Sequence, residues 1–237
     1  MMEDFRQYLE ADDFIDSTHP AIVRYAREEG GEGGEDDESA RQVAVRFYAA
    51  IRDGFRYNPW NLSFDPSAYR ASAFLARGVA KGGHCIDKAI LLAACARARG
   101  IPARLRFANV RNHIGTEEIE RRLGTDLLVF HGYTELYFGG HWIAATPAFN
   151  KELCDHLGVD PLEFDGVTDA VFQSNDRAGG LFMEYVHDYG SFATLPFDLM
   201  IAEWRKHYPV LRDATTASPW QGEDRDDARH SSPRDPL

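Results

Sequence analysis

The stretch from Cys85 to Arg99 reads CIDKAILLAACARAR, and it constrains the fold more than any other part of the chain. It is rich in alanine and leucine, which are strong helix formers, and no glycine or proline interrupts it. Gly100 and Pro102 follow in the order typical of a helix C-terminus. The stretch therefore predicts a long helix that is buried in the core.

A β-hairpin is predicted between Leu127 and Ala145, where LLVFHGYTELYF and HWIAA flank Gly139-Gly140. Aromatic and β-branched residues on both sides of a glycine turn are typical of paired strands. Because side chains alternate along a strand, His131 and Glu135 share one face, with a local irregularity expected at Gly132.

The remaining pattern predicts helices over 17–27, 39–55, 66–77 and 116–123 and a strand over 103–110. Ser39 is expected to cap the second of these helices, since Ser39 to Gln42 reads as a capping box. Glu28 to Glu38 is acidic and glycine-rich, which indicates a flexible loop. We divide the chain into an N-terminal helix and loop (1–38), a catalytic domain with a C-terminal helical extension (39–213) and a disordered tail (214–237).

Charge and composition exclude several classes of protein. The chain has 26 Lys and Arg against 38 Asp and Glu, a net charge of −12, and no basic run, which argues against a nucleic-acid partner. No secretory signal or long apolar stretch is evident, so we expect a cytoplasmic protein without membrane contact. The three cysteines are too few for a disulfide framework, and we expect free thiols.

Cys85 is the candidate nucleophile, because it lies where Gly82-Gly83-His84 enters the long helix. Unpaired N–H groups and the helix dipole at that position favour the thiolate, so we expect a lowered pKa for Cys85. The same N–H groups could hold an oxyanion, which makes Gly83 and His84 candidate substrate or oxyanion contacts. His131, on a neighbouring strand, is the candidate base.

The other polar candidates have simpler interpretations. Cys95 and Cys154 are expected to pack in the interior. His113 and His141 have no zinc-ligand spacing around them, so we predict neither a metal nor an organic cofactor. Trp60 either lines the substrate site or anchors the core.

Two motifs resemble those of the transglutaminase-like superfamily, whose members include candidate cysteine proteases of bacteria. The first runs from Gly83 to Ala89 (GHCIDKA) and continues to RGIPAR at Arg104. The second comprises HGYTELY from His131 and GHW from Gly140, and ends at Thr146-Pro147. The order and spacing of both motifs agree with that family.

The resemblance implies an α+β, papain-like fold, with the nucleophile helix packed on an antiparallel sheet and extra helices at both ends. It also implies a site formed by Cys85 and His131. The family usually places an aspartate immediately before the proline, where it orients the histidine, but this chain has Thr146 there. A threonine hydroxyl can accept an imidazole N–H without supplying a charge. Glu135 and Asn150 are the alternatives for that role. Glu135, on the same strand face as His131, is also a candidate substrate or oxyanion contact.

The sequence thus predicts a thiol-dependent enzyme that attacks an amide or related acyl carbon of a peptide, protein or small amide. We expect hydrolysis, with water as the acceptor of the acyl group, in preference to transfer of that group to an amine. The main alternative is a catalytically silent module that binds a peptide or protein partner. An acyl-CoA-dependent transferase ranks lowest, because no glycine-rich phosphate loop is recognisable.

Overall fold

The computed structural model describes residues 5–31, 36–114 and 116–212. The predicted tail over 214–237 therefore lies outside the described residues. The described α-helices are α1 (Pro20–Gly30), α2 (Asp37–Gly54), α3 (Ala71–Lys81), α4 (Cys85–Ala98), α5 (Thr116–Leu123), α6 (Lys151–Leu157) and α7 (Phe197–His207). The strands are β1 (Ala103–Asn112), β2 (Leu127–Phe138), β3 (His141–Ala145) and β4 (Met183–Phe192). Short 3-10 helices cover Phe5–Tyr8, Pro66–Tyr69 and Pro209–Leu211.

Helix α4 is the predicted buried helix. Every residue from Ile86 to Arg97 is buried. The helix begins with a capping box, in which the His84 side chain accepts from the Ile86 N–H and the Asp87 carboxylate accepts from the His84 N–H. These bonds satisfy N–H groups that would otherwise be left unpaired at a buried helix end.

Helix α4 packs against one antiparallel sheet with strand order β3-β2-β1-β4. Strands β2 and β3 form the predicted hairpin, with Phe138 opposite His141 and Thr134 opposite Ala145. The Thr134 hydroxyl donates to the Ala89 carbonyl at 2.8 Å and so joins sheet to helix. The α+β class and the helix-on-sheet arrangement are therefore confirmed.

The irregularity in β2 lies at Phe130 and not at Gly132, where it was expected. Phe130 has a φ of 63°, and the pairing of β1 with β2 shifts register between Ala108 and Val110. The Asn109 side chain accepts from the Phe130 N–H at 3.0 Å, which stabilises the distortion. Gly132 pairs regularly with Phe107.

Two expected helix starts were wrong. Helix α2 is capped by Asp36, whose carboxylate accepts from the Ser39 N–H at 2.9 Å, so Ser39 lies inside the helix. Of the loop expected over 28–38, Glu28 to Gly30 and Asp37 to Glu38 are helical, and residues 32–35 lie outside the described residues. The segment expected as one helix over 66–77 is a 3-10 turn followed by α3, because Arg70 has extended backbone angles.

The apolar side chains form two clusters that meet at Cys85. The larger lies between α4, the sheet and helices α1, α2, α3 and α7. The smaller includes Val110, Phe149, Cys154 and Phe182. Cys85 packs against both, so the end of α4 is held from two sides. Among the described residues, none of the helices combines the length and apolar character needed to cross a membrane.

Candidate active site

Cys85 is the first residue of α4, and the two glycines before it allow a close approach of the chain. Gly82 has a φ of 68°, and a Cβ there would lie 2.4 Å from the Arg56 carbonyl oxygen. A Cβ on Gly83 would lie 2.4 Å from the Phe74 ring. Larger residues would displace the start of α4, so these glycines fix where the thiol stands.

Strand β2 reaches the thiol through Gly132. A Cβ on Gly132 would lie 3.3 Å from the Ile86 Cα, so only glycine permits this spacing without a shift. The Gly132 N–H is directed at the Cys85 sulfur and favours its ionised form. The residue immediately before, His131, is thereby placed beside the helix end.

Cys85 and His131 line one cavity of about 40 Å³. His131 also lines a smaller cavity of about 10 Å³ together with Thr146. His131 thus shares one cavity with Cys85 and another with Thr146, and Cys85 and Thr146 share neither. The ring nitrogens of His131 and the Thr146 hydroxyl are buried without a hydrogen-bond partner among the described residues, so Thr146 does not bond to the imidazole.

Burial determines the protonation states of Cys85 and His131. It raises the pKa of the Cys85 thiol to about 11, and this outweighs the opposing effect of the Gly132 and Ile86 N–H groups. Burial also lowers the pKa of His131 to about 4, with a smaller contribution from His84. The expectation of a lowered thiol pKa was therefore wrong for this structure, and the resting pair is a neutral thiol and a neutral imidazole.

Glu135 and Asn150, the two alternatives to Thr146, form hydrogen bonds with groups other than His131. The Glu135 carboxylate accepts from Arg104 at 2.6 Å, from Arg106 at 3.0 Å and from Ser191 at 2.6 Å. The Asn150 side-chain oxygen accepts from the Tyr57 N–H at 3.0 Å. Neither of them orients His131 in this arrangement.

The four proposed substrate or oxyanion contacts differ in position. Glu135, the first of them, is held by Arg104, Arg106 and Ser191. The Gly83 N–H donates to the Arg56 carbonyl at 3.0 Å, which leaves it no role as an oxyanion donor here. The His84 ring lines the cavity and caps α4. Trp60 does not line the cavity, and the Arg122 guanidinium stacks over its ring at 4.6 Å.

Sequence reasoning missed the residues that close the cavity from the C-terminal side. Trp204 and Tyr208 line it, as does Tyr57 from the loop after α2. No glycine, histidine or cysteine motif marks Trp204 or Tyr208 in the sequence, so only the tertiary structure shows their position. Within the described parts of the chain, no group of three His, Cys, Asp or Glu side chains could hold a metal ion.

A cysteine at a helix N-terminus beside a histidine of an antiparallel sheet is the arrangement of a papain-like fold. Residues 27–147 match the family model of the transglutaminase-like superfamily, which is just over half of the chain. The protein belongs to that superfamily, as its two motifs suggest.

Similar solved structures include a candidate cysteine protease from Cytophaga hutchinsonii, at 19% identity and a TM-score of 0.45. They also include the arylamine N-acetyltransferase from Mycobacterium abscessus, at 13% identity and a TM-score of 0.40. The matches cover 81% and 65% of this chain, but only 55% and 49% of those chains. No curated protein matches the sequence.

Proposed function

We propose that the protein is a thiol-dependent acyl enzyme, in which Cys85 attacks an amide or related acyl carbon and His131 transfers the proton. The observation that carries this function is the shared cavity, which holds the thiol, the imidazole and the end of α4 together. Membership of the transglutaminase-like superfamily supports it. The acyl group then passes to water or to an amine.

The neutral state of both groups favours general-base attack over a preformed ion pair. His131 accepts the thiol proton as the bond between the sulfur and the acyl carbon forms, and the carbonyl oxygen becomes an oxyanion. The Cys85 N–H at the start of α4 is the proposed donor for that charge, since the Ile86 N–H already donates to the His84 ring. Collapse breaks the bond to the leaving amine, which takes the proton from His131, and water or an amine then cleaves the thioester.

A silent binding module is the second candidate function. It is favoured by the raised pKa of Cys85 and by the His131 ring, whose nitrogens bond to none of the residues that the structure describes. In such a module the cavity would receive a side chain of a peptide or protein without reaction.

Covalent labelling separates the two functions. We would incubate the protein with 4-nitrophenyl acetate and locate the added acetyl group by intact and peptide mass spectrometry. An acyl enzyme acquires one acetyl group at Cys85, and the acylation rate falls about a hundredfold in His131→Ala. Cys85→Ser should not be labelled, whereas Cys154→Ser, which changes a buried thiol outside the cavity, should react as the wild type. Absence of acetylation at Cys85 would leave the binding module as the better description.

A further inference from the structure

We propose that the segment Phe197–Leu211, called here the C-terminal cover, forms one wall of an acyl pocket at Cys85 and favours short, uncharged acyl groups as substrates. This selectivity rests on the proposed acyl chemistry. The C-terminal cover lies beyond the residues 27–147 that match the superfamily, so it is a feature of this chain outside the matched core.

The C-terminal cover is fixed to the strand that carries His131. The Trp204 indole N–H donates to the Val129 carbonyl at 3.1 Å. The Tyr208 hydroxyl accepts from the Val129 N–H at 2.6 Å. Both backbone groups of Val129, two residues before His131, are therefore bound by side chains of the cover. These two contacts attach the cover to the strand that carries His131.

The walls of the cavity indicate what it accepts. They contain no lysine, arginine, aspartate or glutamate, and most of them are apolar: Leu62, Ile86, Leu123, Leu128, Val129 and Phe130. A charged group that entered would lose its hydration without gaining an ion pair. Burial lowers the pKa of both histidines in the wall, His84 and His131, which disfavours a cation beside Cys85.

The volume limits the length of the group. A cavity of about 40 Å³ holds roughly three water-sized groups. The acyl chain occupies the cavity while the sulfur bonds to the carbonyl carbon, and the leaving group stays outside. Acyl chains of about two to four carbons fit this space. A chain of about six carbons exceeds it, and either displaces Trp204 or Leu123 or projects into solvent, because the cavity is partly open.

A series of 4-nitrophenyl esters tests the selectivity in the full-length protein. We expect kcat/KM for acylation of Cys85 to be similar for acetate, propionate and butyrate. For hexanoate and for the charged hemisuccinate we expect about a tenfold or greater loss. Equal rates across the series would overturn the acyl pocket but leave the thiol chemistry intact. Failure of every ester to acylate Cys85 would instead overturn the proposed function, and the pocket assignment with it.

Trp204→Phe tests the C-terminal cover itself. It removes the bond to Val129 and enlarges the pocket, so the ratio of hexanoate to acetate rates should rise about fivefold or more. Trp142→Phe makes the same exchange outside the cavity and should leave the ratio unchanged. Leu128→Ala, at a half-buried position in the cavity wall, is a second variant that enlarges the pocket, and it serves if Trp204→Phe does not fold. An unchanged ratio in the folded pocket variants would contradict a selective cover.

Discussion

At the scale of single residues, two opposing effects act on the Cys85 thiol. Its place at a helix N-terminus supplies N–H donors that favour the thiolate, as the sequence predicts. Cys85 is half-buried between two apolar clusters, and the resulting loss of water around the sulfur disfavours the charge and is the larger effect. The sequence shows where a helix begins, but not how much water the folded chain leaves around that end.

Alkylation of Cys85 should therefore become fast only at high pH. With a pKa of about 11, roughly one thiol in a thousand is ionised at pH 8. We expect the iodoacetamide rate at Cys85, followed by peptide mass spectrometry, to increase steadily from pH 7 to 10.5. The urea-unfolded chain, in which the same thiol is hydrated, is the control and should react faster at pH 8. An inflection below pH 8 in the folded protein would contradict the burial described here.

At the scale of secondary structure, the best-predicted elements are those that local sequence determines. Helix α4 follows from an alanine-rich run with clear stop signals, and the β2–β3 hairpin follows from its glycine turn. Strand β4 was not predicted, because half of its residues are exposed and it lacks apolar alternation. The distortion at Phe130 depends on the Asn109 side chain of another strand, which no local pattern contains.

Gly132→Ala tests the contact between β2 and α4. The added methyl group would lie 3.0 Å from the Phe107 ring and 3.3 Å from the Ile86 Cα, so strand and helix must separate slightly. We expect urea denaturation to show a loss of about 1–3 kcal/mol in unfolding free energy. Acylation of Cys85 should also slow, because the Gly132 N–H moves away from the sulfur.

Gly54→Ala is the matched control for this substitution. Gly54 ends α2, and a Cβ there meets nothing within 4 Å. Its stability should stay the same or increase by up to about 1 kcal/mol, since alanine is the better helix former. If both substitutions changed the unfolding free energy and the acylation rate equally, the close contact at Gly132 would not be the cause of these changes.

At the scale of the whole molecule, Lys88 connects the parts that surround the site. Its ammonium group is fully buried, one turn after Cys85. It donates to the Arg52 carbonyl in α2 at 2.9 Å and to the Ala148 carbonyl after β3 at 2.8 Å. Ala148 belongs to the smaller apolar cluster, whereas α2 and α4 pack in the larger one, so Lys88 joins the two. The sequence motif includes Lys88 but gives no sign of this role.

The buried Lys88 should make stability depend on pH in a predictable direction. Burial lowers its pKa from 10.5 to about 7. Between these values the unfolded chain binds more protons than the folded protein, so the unfolding free energy contributed by Lys88 rises with pH, by up to about 1.4 kcal/mol per unit. Below pH 7 both states are protonated and this slope disappears.

Subtracting the unfolding free energy of Lys88→Met from that of the wild type isolates the effect, because groups such as Cys85 titrate in both proteins. We expect urea denaturation at pH 6 to 9 to show that this difference in unfolding free energy is constant near pH 6. Above pH 7 the wild type should become more stable relative to Lys88→Met as the pH rises. Lys81→Met removes an exposed lysine charge at the end of α3 and controls for the loss of charge alone. A difference that stays flat from pH 7 to 9 for Lys88→Met would mean that the ammonium is hydrated in solution, and that the two clusters are not joined through a buried charge.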